Sequence, residues 1–443
     1  MKLKSVYRIT SFFILFMFFS GLSCIRGVQE KASYTLEEIY RIALEKSEDV
    51  KMAEENINQS KSQVTKARSM LLPKLSLNYN RTHYNKQVAF EMPGMEGMPG
   101  GSFEIFPQDT YTATLNLIQP IYLGGMQWAS WEQAGTFHQL SKLSTAKTKQ
   151  ELLFAISALY FQILKTQAEL GITNKSLELA KRELEVANAR FKAGEVTITS
   201  ILRAELDLTN SERLFLQQQN ELKIFKEKLS TLVGLKGDFT LEKPLPPVLP
   251  QGELNRLIEI GRHRSLDIKI AEKQISVTKL EKRRAKGYFQ PSLSASVTFL
   301  NQSAPFPTKE YLALGLNLNV PIFDGGLGYG ALKEAKSREQ QALLSRSKLI
   351  KEISTEITQA YLDLQTLSAT METMEKGAQL AEKNYHTTSK LFAVGEATSL
   401  EVSQALTAFD SAQKDLSNLK YDRYLAILRL NKAIGTFAED YIH

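Results

Sequence analysis

The sequence repeats itself at an interval of about two hundred residues, and this duplication constrains the fold more than any other feature. The segment 119–125 (QPIYLGG) corresponds to 320–326 (VPIFDGG) at an offset of 201. Upstream the offset is 218, as for Pro73 and Pro291, because the first copy carries an insertion rich in Met, Gly and Pro around residues 91–101. Insertions are tolerated where backbone is exposed, so this one is predicted to be a loop. Copies of this size pack together, since one copy alone is not expected to be stable.

Prolines divide each copy into helices and strands. All thirteen lie outside six long stretches rich in good helix formers, and a proline inside a helix would cost about 3 kcal/mol. At about 1.5 Å per residue the longest stretches would reach roughly 100 Å, and the two shorter helices of each copy, stacked end to end, would match the long one. Gly194 and Gly395 mark the hairpin turns. The predicted helices are 36–70, 126–190, 197–233, 254–287, 327–391 and 398–434.

A seven-residue apolar repeat follows these helices and predicts coiled-coil packing. Before the turn at Gly194, the large members are Ile163, Leu170, Leu177, Leu184 and Phe191. Small residues form a neighbouring line, which consists of Thr166, Thr173, Ala180 and Ala187. After the turn, the repeat continues as Ile201, Leu208, Phe215, Leu222 and Leu229. The second copy follows the pattern more loosely, and Arg423 interrupts it.

Two segments in each copy alternate large apolar residues with Ser, Asn or Thr. Strict period two over about ten residues is typical of membrane-spanning β-strands, and a small soluble sheet is the alternative. Four strands cannot close a barrel, and open edges in lipid would leave costly unpaired backbone groups. Closure therefore requires several chains, of which two would supply eight strands and three would supply twelve. The predicted strands are 75–80, 111–117, 293–299 and 312–319.

Residues 1–23 are typical of a secretory signal, with a basic start, an apolar core too short to span a membrane, and small residues before Cys24. Cys24 is the only cysteine, and its position favours either N-terminal lipidation or an incidental thiol beside an ordinary cleavage site. No later stretch reaches the apolar length of a transmembrane helix, so membrane insertion would depend on strands. Without the three cations of the signal, the net charge of +7 falls to +4, which gives no case for nucleic acid.

Motifs for catalysis or metal binding do not stand out. The five histidines are scattered without metal-ligand spacing, and the glycine pairs 124–125 and 325–326 lack the Lys-Ser/Thr of a phosphate-binding loop. The sequence therefore predicts neither an enzyme nor a cofactor or metal site. A basic run at the end of one predicted helix suits the helix dipole and, near a bilayer, would also meet phosphate head groups. It consists of Lys279, Lys282, Arg283, Arg284 and Lys286.

Four strands and long helices in two copies, joined by Pro-Ile-Tyr-Leu-Gly-Gly and Pro-Ile-Phe-Asp-Gly-Gly, resemble the TolC-like outer-membrane efflux proteins (outer membrane factors). The resemblance extends over nearly the whole chain after residue 34. It implies a mainly α fold with a small β part, in which long coiled-coil helices form a periplasmic α-barrel. Four strands per chain would contribute to a trimeric, twelve-stranded transmembrane β-barrel. The implied partners are two further copies, outer-membrane lipid, a periplasmic adaptor and an inner-membrane transporter.

The hairpin turns look like the family's paired Val-Gly-x-x-Thr tips, which adaptor hairpins contact. They are also ordinary helix-capping turns, and both interpretations can hold. The family's carboxylates around the tunnel mouth correspond to Glu401 and Gln404, and the acid that helps to tie the mouth shut corresponds to Ser200. Each chain would then contribute one carboxylate, Glu401, to the mouth. The alternative is that Glu401 is an ordinary solvated residue of its helix. The predicted docking residues are Gly194, Glu195, Val196, Thr197, Val394, Gly395, Glu396, Ala397 and Thr398.

The predicted function is the outer-membrane exit duct of a tripartite efflux system for small toxic compounds. Two alternatives stay open, namely the outer-membrane component of type I protein secretion and a periplasmic coiled-coil lipoprotein that scaffolds the envelope without a pore. The scaffold accounts for the heptads and Cys24 but leaves the alternating strands unexplained. The expected divisions are a signal peptide 1–23, a first repeat 24–235, a proline-rich linker 236–252, a second repeat 253–435 and a tail 436–443.

Overall fold

The computed structural model describes residues 33–86, 88–92, 94, 101–106, 108–235, 237–303 and 309–442, so the predicted signal segment and Cys24 lie outside the described residues. The first part contains β1 (Ser33–Tyr34), α1 (Leu36–Lys46), α2 (Glu48–Ser69), β2 (Lys74–His83), β3 (Val88–Met92), β4 (Gly101–Phe106), β5 (Asp109–Leu123), α3 (Met126–Lys192) and α4 (Ile198–Val233). The second contains β6 (Thr240–Leu241), α5 (Leu254–Arg264), α6 (Leu266–Lys286), a 3-10 turn (Gly287–Phe289), β7 (Ser292–Gln302), β8 (Glu310–Asn319), α7 (Leu327–Val394), α8 (Ser399–Ala433) and α9 (Glu439–Ile442).

The two long helices form the frame of the molecule. Helix α3 has 67 residues and α7 has 68, which gives each a length of about 100 Å, as predicted. Helix α3 packs against α2, α4, α6 and α8, and α7 packs against α5, α6 and α8. Helix α3 is therefore lined by shorter helices of both repeats, and α7 by those of its own repeat. In the described part of the chain, no helix combines the length and apolar character needed to cross a bilayer.

The first helix of each repeat is broken at a serine, and the prediction of single helices over 36–70 and 254–287 is wrong on this point. Ser47 ends α1 and begins α2 with ψ 128°, and Ser265 separates α5 from α6 with ψ 126°. Both serines are buried, and they correspond at the offset of 218. Composition alone hid the break because the flanking residues are good helix formers. The signal was a serine followed by acidic residues, which is typical of a helix N-terminus.

The heptad prediction named the correct period and both lines of the seam, and in the first repeat the large line is buried at Ile163 but not as far as the tip. The small residues Thr166, Thr173, Ala180 and Ala187 are almost completely buried, whereas Phe191 of the large line is 41% exposed. In the second repeat the large line is buried, as shown by Leu364, Ala378, Tyr385 and Phe392. The second copy is therefore not looser in its packing. In the first repeat the large line thus changes from buried at Ile163 to exposed at Phe191, while the small line stays buried.

Among the described residues, β2, β5, β7 and β8 form one antiparallel sheet in that order, which confirms the four predicted strands. Residues paired across strands share a face of the sheet. One face is therefore apolar across all four strands, with Leu75, Leu77, Tyr79, Tyr111, Leu115, Leu117, Leu293, Val297, Phe299, Leu312, Leu314, Leu316 and Leu318. The opposite face is mainly polar, although Ile118, Leu300 and Tyr311 also lie on it. Its polar members are Ser76, Asn78, Asn80, Thr112, Thr114, Asn116, Ser294, Ser296, Thr298 and Asn317.

The insertion of the first repeat is flanked by two strands. Strands β3 and β4 pair antiparallel there and form a hairpin, so the loop prediction is wrong for these flanks, and residues 95–100 lie outside the described part. Two further short strands, β1 and β6, pair in parallel and attach the start of the described chain to the predicted linker. The buried Tyr160 hydroxyl holds this linker by donating to the Glu242 carbonyl at 2.5 Å.

Candidate functional site: the hairpin tips

Both hairpins end in the same backbone turn. At the first tip, Gly194 has φ 79°, its N–H donates to the Phe191 carbonyl, and the next N–H donates to the Arg190 carbonyl. At the second tip, Gly395 has φ 89° and the same two bonds reach Phe392 and Leu391. This pair of bonds is a Schellman motif, which favours glycine because of its positive φ. The glycines therefore stand where the sequence predicted the turns.

The second tip starts its following helix with a capping box. The Glu401 N–H donates to the Thr398 hydroxyl oxygen at 3.3 Å, and the Thr398 N–H donates to the Glu401 carboxylate at 2.7 Å. The Thr398 hydroxyl also donates to this carboxylate at 2.8 Å. Bonds from the Thr398 backbone and side chain hold the pKa of Glu401 below its usual value. The single carboxylate predicted at the mouth is thus ionised and engaged in its own helix end.

The first tip lacks this box within the described residues. Thr197 occupies the N-cap position of α4 but its side chain makes no capping bond. Ser200 stands at the position that corresponds to Glu401, and a serine there is too short to return a carboxylate to the N-cap backbone. Gln404 lies one turn beyond Glu401 and is exposed. These three mouth residues thus lie near the tips, and whether they form a ring remains a prediction.

Arg190 joins the two tips. Its guanidinium donates to the backbone carbonyl of Phe392, lies 5.0 Å from the centre of the Phe392 ring, and pairs with the Glu195 carboxylate at 2.9 Å. The Arg190 side chain is only 13% exposed. Because the Phe392 carbonyl belongs to the last turn of α7, Arg190 caps a helix of the other repeat. The predicted docking segments are therefore neighbours held in one arrangement.

Further polar contacts continue this connection along α3. Ser176 donates to the Asp410 carboxylate, and Glu183 accepts from the hydroxyls of Ser389 at 2.7 Å and Tyr385 at 3.3 Å. Burial raises the pKa of Asp410, while the Ser176 bond and nearby Lys414 act in the opposite direction. Ser176, Glu183 and Arg190 are spaced seven residues apart, and we call them the polar line. These polar residues lie outside the apolar seven-residue repeat, and the sequence pattern therefore did not predict them.

The fold and the tips define a class of protein. It is a channel subunit with a wall of long helices, exposed hairpin tips, and a sheet with one apolar and one mainly polar face. The chain belongs to the outer membrane efflux protein family, which matches residues 39–235 and 257–436 and so includes both repeats. The predicted family, fold class and outer-membrane location are thereby confirmed. The helices extend into the periplasm, and the protein is an outer-membrane channel of efflux or secretion systems.

Individual relatives agree with this assignment. The chain is 23% identical to the outer membrane protein TolC of Vibrio cholerae over 415 residues, or 91% of each chain. It is 21% identical to the proteases secretion protein PrtF of Dickeya chrysanthemi, over 91% of this chain and 88% of that protein. The fold is similar to the crystal structure of VceC from Vibrio cholerae, with a TM-score of 0.76, 20% identity, and coverage of 91% of this chain and 97% of that one.

Proposed function

We propose that three copies of this chain form a passive exit duct that releases small toxic compounds across the outer membrane. The observation that carries this proposal is the two-faced sheet, whose outer strands β2 and β8 end the sheet within one chain. A lipid-facing sheet must close, because unpaired backbone groups in hydrocarbon cost several kcal/mol each. Three copies would supply twelve strands, with the apolar face toward lipid and the polar face toward a lumen wide enough to conduct.

The helical wall supports association of copies as well. Helices α4 and α7 carry large apolar side chains that are at least 58% exposed in one chain, namely Leu202, Leu206, Leu216, Leu344 and Leu380. Such side chains in a single chain are typical of a surface that another subunit covers. Neighbouring copies are the proposed partners, since the same closure that pairs the strands brings the helices of adjacent chains together.

The exposed tips support docking of a periplasmic adaptor, which would link the duct to an inner-membrane transporter. Val394, the last residue of α7, is 71% exposed, and the residues around both glycines are largely exposed. The chain itself would supply a path, and the transporter would supply the energy. Release of polypeptides is a second candidate function, because PrtF is named a proteases secretion protein.

Planar-bilayer recording on the purified protein tests the duct. We expect stepwise conductance from the native protein, and loss of insertion when Leu314→Lys and Leu316→Lys place charges on the apolar face, where each cation costs about 2–4 kcal/mol in mid-membrane. The matched control is Ala313→Lys together with Asn317→Lys, on the opposite face of the same strand β8, which should still insert. A protein that is soluble without detergent and shows no conductance would instead be the periplasmic scaffold.

The cargo is tested in cells. A strain of the source organism without this gene should become sensitive to small toxic compounds while its secreted proteins are unchanged, and the native gene should restore resistance. Loss of a secreted polypeptide with unchanged resistance would replace efflux by type I secretion. If a gene with Leu314→Lys and Leu316→Lys restored resistance or secretion, membrane insertion would have no role in that process.

A further inference from the structure

Positive charge is concentrated where the sheet joins the helices. The four joining segments 64–76, 118–134, 279–294 and 318–336 contain ten Lys or Arg residues and four Asp or Glu residues. Their net charge of +6 exceeds the +4 that the chain carries without the three cations of the predicted signal. The rest of the protein is therefore close to neutral, and the junction is the distinctly basic part.

The same basic pattern occurs in both repeats. Lys66 and Arg68 near the end of α2 correspond at the offset of 218 to Arg284 and Lys286 at the end of α6. All four side chains are exposed. Exposed apolar residues follow each pair and lead directly into the apolar face of the sheet; they are Met70 and Leu72 in the first repeat, and Tyr288 and Phe289 in the second.

The four acids of the junction have other partners. Glu132 pairs with Arg283 at 2.7 Å, and Glu334 pairs with Arg338 at 2.5 Å. Glu281 accepts from Gln133 at 3.3 Å and lies 3.8 Å from Arg338. Asp324 accepts the backbone N–H groups of Gly326 and Gly328. The acids that could neutralise the two basic pairs are therefore engaged in joining helices and capping α7.

Helix geometry places one cation of each pair on the outer side of the wall. Residues two apart are separated by about 200° around a helix axis. Helix α6 lies between α3 and α7, so exposed side chains that point in nearly opposite directions lie on opposite sides of the wall. Because the repeats correspond, the outward cations are either Lys66 with Arg284 or Arg68 with Lys286.

We propose that the outward cation of each repeat binds the phosphate head group of an anionic phospholipid in the periplasmic leaflet. Each cation near an anionic bilayer surface contributes about 1 kcal/mol of binding free energy, which corresponds to a roughly fivefold higher local concentration of the anionic lipid. The apolar residues after each pair would contact the glycerol and upper acyl region, where amphipathic aromatic rings are favoured. This proposal rests on the membrane position of the sheet and is independent of transport.

Electron spin resonance with spin-labelled lipids tests the site in full-length protein reconstituted in phosphatidylcholine vesicles. The motionally restricted fraction of labelled phosphatidylglycerol is compared with that of labelled phosphatidylcholine. We expect phosphatidylglycerol to be selected about fivefold at low salt, and the selectivity to fall in high salt because exposed charges are screened. Equal restriction of both lipids by the native protein would overturn the proposal.

The two double variants Lys66→Gln/Arg284→Gln and Arg68→Gln/Lys286→Gln are matched in charge and serve as controls for each other. One should lose the selectivity and the other should keep it, while both retain native conductance and helical circular dichroism. Retention of selectivity in both variants, or equal loss in both, would contradict the site. Soluble glycerol phosphate at matched ionic strength should not reduce the selectivity, and displacement by it would mean a site for free phosphate instead of lipid.

Discussion

The two hairpin tips are copies of one turn that differ in how they are fixed. Both use a glycine with positive φ and the same pair of backbone bonds. The second tip adds a capping box between Thr398 and Glu401, and it also receives Arg190 from the first tip. The first tip has Ser200 in place of the capping glutamate. Duplication has thus preserved the backbone conformation, while the side chains that fix it have diverged.

This difference makes the tips unequal in a way that substitution can reveal. A side chain at Gly194 would meet open space, whereas a Cβ at Gly395 would lie 3.2 Å from the Arg190 guanidinium. The second tip is therefore fixed by its neighbour as well as by its own turn.

The largest effect is expected from charge at the glycines. Gly194→Glu and Gly395→Glu should each abolish export while assembly of the oligomer continues, because they alter the surface offered to the adaptor and strain a left-handed turn by about 1 kcal/mol or more. Gly395→Glu should also displace Arg190. Export is measured as resistance in the deletion strain, and assembly by native electrophoresis. The matched control is Gly377→Glu, at an open position within α7, and unchanged export in both tip variants would reject adaptor docking.

The next effect concerns the connection between the tips. Arg190→Gln removes the bond to the Phe392 carbonyl and the contact with its ring, so hydrogen exchange at residues 391–398 should accelerate about tenfold, which corresponds to about 1.4 kcal/mol. The second tip should respond although the substituted residue belongs to the first repeat. Arg182→Gln, on the exposed surface of the same helix, is the control. Faster exchange confined to residues 190–197 would show that the tips are independent.

The sequence predicted the architecture well because its signals were local and repeated. Prolines and the turn glycines together gave the helix ends to within a few residues, and alternation gave the strands 75–80 and 312–319 within observed strands β2 and β8. The breaks at Ser47 and Ser265 and the pairing of β1 with β6 were missed. The first depends on one side chain in a helix-forming context, and the second joins residues about two hundred positions apart.

The candidate site was predictable in position but not in its interactions. Gly194 and Gly395 were found because a helix that must turn needs a residue tolerant of positive φ. The contact of Arg190 with Phe392 joins different repeats, so no local pattern reports it. Its one sequence signal is the seven-residue spacing of the polar line, which becomes meaningful only when the partner helix is known.

A smaller effect is expected at Asp410, the buried acid that accepts a hydrogen bond from Ser176 of the polar line. Burial raises the pKa of Asp410, so the folded state binds a proton more tightly than the unfolded state. The native protein should therefore lose stability as pH rises from the unfolded pKa through the folded pKa. Asp410→Asn, which can still accept from Ser176, should raise the melting temperature near pH 7, and the gain should vanish at acidic pH. Asp415→Asn, at an exposed position of the same helix, should show no such dependence.

The smallest effect concerns the capping box itself. Glu401→Ala should speed hydrogen exchange in the first turn of α8, since the Thr398 N–H loses its acceptor, and Ser200→Glu should slow exchange in the first turn of α4 by completing the box there. The protection from hydrogen exchange that the Glu401 carboxylate gives the first turn of α8 should be present at neutral pH. It should be lost as pH falls through the lowered pKa of Glu401. Glu396→Ala, outside the box, is the control. If Ser200→Glu slows exchange and export continues, the capping difference is structural; if it also closes the channel to current, the acid at this position acts on the mouth.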